Sequence, residues 1–176
     1  MDLAALYQKA QNDPKYRQEF LQMMPLGRFK KFIRRVVYAN EKGDALMKAH
    51  CAMFHRKVSI IVFMNAFRLC FADFQAVLCN HEGYHAYQLV QRGFRDRLRS
   101  ELPGSYADVY GRLLVEVSAY KYEVSRLTGA NSEAFCRECR QKLQKAMQLT
   151  QNAREKAIQE GEGREVEKYD AMNWVR

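Results

Sequence analysis

Apolar residues recur at helical spacing over the first part of the chain, from Asp2 to about Met24. The pattern breaks at Asn12–Pro14 and is followed by Pro25, so it predicts two short helices that end before that proline. The next segment, Gly27 to Tyr38, alternates basic and apolar residues. It fits either a helix or a strand.

The clearest strand pattern is Lys57 to Asn65, where β-branched and aromatic residues alternate between two faces. One strand cannot be stable alone, so it needs partners in a sheet. We expect these partners at Arg34–Ala39 and Ala52–His55. The sequence therefore predicts a small β-sheet in the first half of the chain.

From Asp73 onward the pattern of apolar residues is helical. Asp73 and Gly93 are predicted to cap the two ends of one helix. Ser105 with Asp108 three residues later resembles a capping box and opens a second helix, which runs to about Thr128. The second half of the chain is therefore predicted to be helical.

The chain has 176 residues, of which 48% are hydrophobic, and this suits one globular domain. We expect a single α+β domain over residues 1–176, mostly helical with a small β-sheet. Its core would span residues 57–128, after a helical N-terminal segment at residues 2–38. A long charged helix would cover about residues 132–160, capped by Asn131 or Ser132. From Gly161 the pattern has no clear period.

Two features bear on location. The longest apolar run, Val58 to Met64, is too short to cross a bilayer, and the N-terminus lacks the pattern of a secretory signal. We therefore expect a cytoplasmic protein without a membrane partner.

The 5 cysteines are an odd number in a chain large enough to fold without disulfides, which favours free thiols. The pair Cys136 and Cys139 lacks the companions of a zinc finger.

The formal net charge is +9, which suits an acidic partner. Positive residues form two clusters, at Arg28–Arg35 and Arg92–Arg99. Neither cluster lies in a recognisable nucleic-acid-binding motif, so we interpret both as solvated faces and do not expect nucleic acid as a partner. The alternative to an enzyme is a non-enzymatic, basic helical protein that binds nucleic acid or an acidic protein, with no metal or a structural one.

The strongest chemical signal is the H-E-x-x-H sequence at residues 81–85, within the first predicted helix of the second half. Four residues advance a helix by about 400°, so His81 and His85 lie on one side and aim their imidazoles at one point. Glu82 is about 100° away, where it can reach a metal-bound water without coordinating the metal. The two histidines therefore have metal-ligand geometry, and Glu82 is placed as a base.

A catalytic zinc ion takes three protein ligands and keeps a position for water. The next predicted helix offers Glu116, in an E-x-x-A sequence that ends at Ala119, and also Glu123 on the same face. We favour Glu116 as the third ligand and keep Glu123 as its rival. H-E-x-x-H followed on a later helix by E-x-x-A resembles the gluzincin group of zinc metallopeptidases, which have the zincin fold.

The resemblance covers about residues 57–128. It implies that His81, His85 and Glu116 bind Zn²⁺ and that Glu82 is the general base. It also implies that the strand Lys57–Asn65 is the edge strand along which a substrate backbone aligns. Many gluzincins have an aspartate four residues after the ligand glutamate, where this chain has Tyr120.

The predicted function is a zinc-dependent hydrolase, a metallopeptidase whose substrate is a peptide or protein. The loop Phe94–Gly104 joins the two ligand-bearing helices, and we expect its arginines to border the cleft and attract acidic substrates. Five side chains are candidates for stabilising an oxyanion, and the sequence selects none of them: Tyr106, Tyr110, Tyr120, Tyr122 and His55. The oligomeric state does not follow from the sequence.

Overall fold

Helices make up most of the chain, and one small mixed sheet lies among them. The computed structural model describes residues 2–50, 57–91 and 104–172. Its elements are α1 (Leu3–Asn12), α2 (Arg17–Met23), β1 (Ile33–Ala39), β2 (Met47–His50), β3 (Val58–Phe63), α3 (Phe71–Gln75), α4 (Gly83–Val90), α5 (Tyr106–Ser125), α6 (Glu133–Gln159) and α7 (Gly163–Asp170). A π-helical stretch (Ala76–Glu82) joins α3 to α4. The predicted α+β class, mostly helical with a small sheet, is confirmed.

The N-terminal segment begins with the two predicted helices, α1 and α2, and both end before Pro25. A short 3-10 helix follows at Gly27–Phe32. The prediction that residues 2–38 are helical is wrong from Ile33 onward, because Ile33–Ala39 form β1. This segment contains adjacent valines and a tyrosine, residues that favour a pleated strand, and β3 supplies the hydrogen-bonding partner.

The sheet has the order β1-β3-β2, with β1 parallel and β2 antiparallel to β3. The predicted strand is confirmed as β3, and its predicted neighbour at Arg34–Ala39 is confirmed as β1. The other predicted neighbour, Ala52–His55, falls within residues 51–56, which lie outside the described residues. The second strand observed beside β3 is Met47–His50.

β3 is the central strand of the sheet, so the expectation that Lys57–Asn65 forms the edge strand is wrong. Strands on both sides already use its backbone groups. Its alternate residues Val58, Ile60 and Val62 are fully buried, as a central strand requires. The edge position beside the helix that carries the motif belongs to β2.

The segment α3, π-helical stretch and α4 is continuous and contains the H-E-x-x-H sequence. In the π-helical stretch the Gly83 N–H donates to the Leu78 carbonyl, five residues back. The prediction that Asp73 caps this helix is wrong, because α3 already begins at Phe71. The Asp73 carboxylate instead accepts hydrogen bonds from Asn131 Nδ2 (3.1 Å) and from the Ser132 N–H (3.0 Å) and Oγ (2.6 Å). The predicted cap at the other end, Gly93, lies outside the described residues.

The two long helices begin where the sequence predicts. Ser105 Oγ accepts from the Asp108 N–H at the start of α5, and Ser132 Oγ accepts from the Phe135 N–H at the start of α6. Helix α7 was not predicted. It packs against α5 and α6 through Val166 and Tyr169, both buried. None of the helices in the described ranges is long and apolar enough to span a membrane.

Candidate metal centre

Both histidines of the motif aim the same ring nitrogen at one point. His81 is the penultimate residue of the π-helical stretch, and His85 lies in the first turn of α4. Their Nε2 atoms are 3.2 Å apart, and only 10% and 12% of the two side chains are exposed. Two nitrogen lone pairs at this spacing can bind one cation in place of water molecules.

Glu116 of α5 supplies the third donor. Its Oε1 lies 3.4 Å from His85 Nε2, and its Oε2 lies 3.9 Å from His81 Nε2. Ligand atoms of these three residues all lie within 4.8 Å of one another. Within the described residues this is the one cluster of metal-ligand side chains that has such a spacing. The structure therefore brings together the three residues that the sequence analysis chose as metal ligands.

Glu123, the rival ligand, lies on the other side of the His81 ring. Its Oε2 is 3.2 Å from His81 Nδ1, and the side chain is 4% exposed. The contact falls outside hydrogen-bond geometry, so His81 Nδ1 is a buried nitrogen with no hydrogen bond among the described residues. A proton on Nδ1 faces a buried carboxylate, which leaves the Nε2 lone pair for a metal.

Gln88 contacts the Nδ1 side of the His85 ring, as Glu123 does for His81. Gln88 Oε1 lies 3.0 Å from His85 Nδ1, and its Nε2 donates to the Val115 carbonyl of α5 at 3.2 Å. The Gln88 side chain is fully buried. Because Gln88 Oε1 accepts from Nδ1–H, the neutral ring keeps Nε2 unprotonated. Gln88 therefore links His85 to α5 through hydrogen bonds.

Tyr120 lies four residues after Glu116, where the resemblance noted from the sequence would place an aspartate. Gln88 and Glu123 occupy the Nδ1 sides of the two rings. Ala119 is fully buried where α5 passes the motif, as the small residue of E-x-x-A predicts. The sequence signal for Glu123 was its helical spacing from Glu116, but spacing alone cannot tell a ligand from a supporting residue.

The electrostatics of the site couple His85 to Glu116. Burial alone would lower the pKa of His85, but its hydrogen bond to Glu116 and the nearby carboxylates outweigh burial and raise that pKa to about 9. Burial alone would raise the pKa of Glu116, but His85 and His81 outweigh burial and lower it. Without a metal, His85 and Glu116 therefore form an ion pair at neutral pH.

Glu82 is buried next to the cluster without being part of it. Its Oε2 accepts a 2.7 Å hydrogen bond from the Ala49 N–H of β2. This bond fixes one carboxylate oxygen and leaves Oε1 for another partner. The predicted base is therefore held by the backbone of the edge strand.

Two cavities meet at this centre and share Met47, His81, Glu82 and Tyr120 among their walls. The first, of about 400 Å³, extends towards Leu89 and Val115. The second, of about 530 Å³, has an apolar wall that includes Leu69, Val77 and Phe135. Both volumes lie in the range of small-molecule and cofactor sites.

Among the tyrosines named from sequence, Tyr120 is the one that lines the site. Its ring centroid is 4.5 Å from that of His81, and burial, followed by nearby carboxylates, raises its pKa. Tyr110 donates to Asp170, and Tyr122 stacks on Tyr84. The fourth, Tyr106, is exposed, and Lys156 lies over its ring. His55 and the arginines at 92–99 lie outside the described residues.

The other sequence-based candidates do not form a second centre in the described ranges. Cys70, Cys79, Cys136 and Cys139 are free thiols, as expected. Cys136 and Cys139 do not join a metal-ligand cluster of described residues.

Comparisons of the chain with protein families, with curated proteins and with solved structures found no significant match. The chemistry of the site is therefore inferred from its own residues.

Proposed function

We propose that this protein is a zinc-dependent hydrolase, and specifically a metallopeptidase of the gluzincin type with a zincin-like domain. The observation that carries the proposal is the convergence of His81 Nε2, His85 Nε2 and the Glu116 carboxylate within 4.8 Å. Buried Glu82 beside them gives the centre a base as well as ligands. A site with only a structural role would not need that carboxylate.

The donor set supports zinc. Two imidazoles and one carboxylate are a known ligand set of catalytic zinc, whereas calcium and magnesium prefer oxygen ligands alone. His81, His85 and Glu116 would hold the ion. When bound, zinc would supply a Lewis acid that polarises the scissile carbonyl and lowers the pKa of a water molecule.

Glu82 moves the protons. Its Oε2 is fixed by the Ala49 N–H, so Oε1 accepts the proton of the attacking water. The same carboxylate then gives this proton to the leaving amine. Tyr120, whose raised pKa keeps it protonated at neutral pH, donates a hydrogen bond to the oxyanion that forms on the carbonyl.

A peptide is the favoured substrate because β2 borders the cleft. Phe63 N–H donates to the Leu46 carbonyl, and hydrogen-bonded and non-hydrogen-bonded pairs alternate in an antiparallel ladder. Met47 and Ala49 therefore turn their backbone groups away from β3. The Ala49 N–H binds Glu82, and the groups of Met47 can pair with an extended substrate backbone.

The test combines metal content with hydrolysis. Wild-type protein should contain about one zinc per chain and cleave members of a mixed peptide library. His85→Ala should lose both zinc and cleavage, whereas Glu82→Gln should keep zinc and lose cleavage. Glu167→Gln, on the exposed face of α7, is the matched control and should keep both.

Two results would contradict the proposal. If purified wild-type protein takes up no zinc from a zinc-containing buffer, the centre is not a zinc site. If Glu82→Gln loses zinc as completely as His85→Ala, then Glu82 is a ligand, and its role as a base is wrong.

A further inference from the structure

A separate cavity lies at the other edge of the sheet from the candidate metal centre. It has a volume of about 520 Å³ and lies between α2 and β1. Because the strand order is β1-β3-β2, β1 and β2 are opposite edges. Whatever binds here therefore does not compete for the metal centre.

The walls of this cavity are positively charged. Lys30, Arg34 and Arg35 line it, and none of the described lining residues is acidic. In β1 the pairing with β3 shifts register between Ile33 and Arg35. At this irregularity the two successive arginines, Arg34 and Arg35, are both exposed. The nearest acid along α2, Glu19, is exposed and does not line the cavity.

The remainder of the cavity is apolar or carries a neutral amide. Leu21, Met24, Leu26, Val36 and Val37 line it, and Leu26 and Val37 are partly exposed. A charge cluster that only solvates the surface would not need an apolar wall beside it. The combination of cations with an apolar wall fits a ligand that carries both negative charge and an aliphatic group.

The edge of β1 in this cavity is closed to strand addition. Gln18 Nε2 donates to the Val36 carbonyl at 3.1 Å, and Gln18 Oε1 accepts from the Tyr38 N–H at 2.9 Å. The amide of Gln18 thus takes the place of a neighbouring strand. A ligand must bind through its side chains and not by backbone pairing.

We propose that this cavity is a docking site for an acidic peptide segment of a partner protein. An aliphatic side chain of the segment packs on Leu26 and Val37, and its carboxylates pair with Lys30, Arg34 and Arg35. A peptide fits better than a nucleic acid because none of the described lining residues is aromatic, so bases have no stacking surface. The proposal does not rest on the hydrolase function.

The experiment measures binding of a fluorescein-labelled peptide, Gly-Glu-Asp-Leu-Glu-Asp-Gly, by fluorescence anisotropy at about 50 mM salt, where screening is weak. The triple variant Lys30→Gln, Arg34→Gln, Arg35→Gln should bind about tenfold or more weakly, because each exposed ion pair adds a modest share. The matched control removes the same charges from the exposed face of α6, with Arg137→Gln, Arg140→Gln and Lys145→Gln. This control should change affinity by less than about twofold.

Three further ligands decide the chemistry. A peptide with lysines in place of the acids should not bind, and one with serine in place of leucine should bind several-fold more weakly. Equal losses in the two triple variants would overturn the proposal, since binding would then follow net charge alone. It would also be overturned if the serine peptide bound as well as the leucine peptide, or if a thymidine oligonucleotide bound more tightly and lost affinity in the same triple variant.

Discussion

Replacing Glu123 tests whether it supports His81 or binds the metal itself. Its carboxylate is buried and lies 3.2 Å from His81 Nδ1, on the side of the ring away from Nε2. Glu123→Gln keeps the size of the side chain and one acceptor oxygen but removes the charge. We expect the variant to bind zinc about 10- to 100-fold more weakly, the range for loss of a partner that orients a ligand.

This loss corresponds to about 1.4–2.8 kcal/mol of zinc-binding free energy, because each tenfold change is about 1.4 kcal/mol. Glu123→Gln should fall at the low end, since the amide oxygen still lies beside Nδ1–H. Glu123→Leu should fall at the high end, since it leaves Nδ1 with no polar group of residue 123 beside it. Glu116→Gln removes a direct donor and should cost more than either.

The assay is competition for zinc against a chromophoric chelator of known affinity, with circular dichroism of each variant to show that the fold is intact. The exposed Glu167→Gln serves as the control and should match wild type. If Glu123→Gln weakens binding more than Glu116→Gln does, then Glu123 is the ligand. If neither Glu123 variant changes the affinity, the buried carboxylate does not act on His81.

Three other predictions follow from the site and its supports. His85, with its pKa raised to about 9, must lose a proton to bind zinc. The apparent zinc affinity should therefore rise about tenfold per pH unit from 6.5 towards 9 and then level off. Calorimetry at pH 7.5 in two buffers of different ionisation heat should show about one proton released. Tyr120→Phe should keep zinc but lower kcat roughly 100-fold, while Tyr106→Phe changes neither; an unchanged kcat would remove Tyr120 from the mechanism. Asp73→Ala should lower the free energy of unfolding by about 2–3 kcal/mol in urea, because donors of Ser132 lose their acceptor. Burial alone would raise the pKa of Asp73 but its hydrogen bonds lower it, so this contribution is present above pH 3.8 and lost as the pH falls through the folded pKa; an acid-independent difference from Asp73→Ala would contradict it.

Local features of the sequence predicted those parts of the fold that depend on near neighbours. The spacing of His81 and His85 is set by one helical turn, and the caps at Ser105 and Ser132 each need only a backbone N–H three residues away. Such contacts are local and depend little on the rest of the chain. They can therefore be predicted before the tertiary structure is known.

Long-range contacts were not predictable in this way. Gln88 finds its acceptor at Val115, and Asp73 finds its donors at Asn131 and Ser132, far along the chain. β2 has no β-branched residue, and it forms because β3 offers an open edge. α7 has few buried residues, so its apolar period is too short to detect.

The π-helical stretch means that the motif helix contains a residue that an α-helix of the same length would not need. The helix is fixed on both sides of that stretch: Asp73 is bonded to Ser132 on one side, and Gln88 to Val115 on the other. Deleting one residue between Ala76 and Cys79 would rotate the two parts relative to each other by about 100°. Either the hydrogen bond of Asp73 to Ser132 or the alignment of the imidazoles with Glu116 would then be lost. A chain of this fold could therefore vary its residues in the stretch, but not their number.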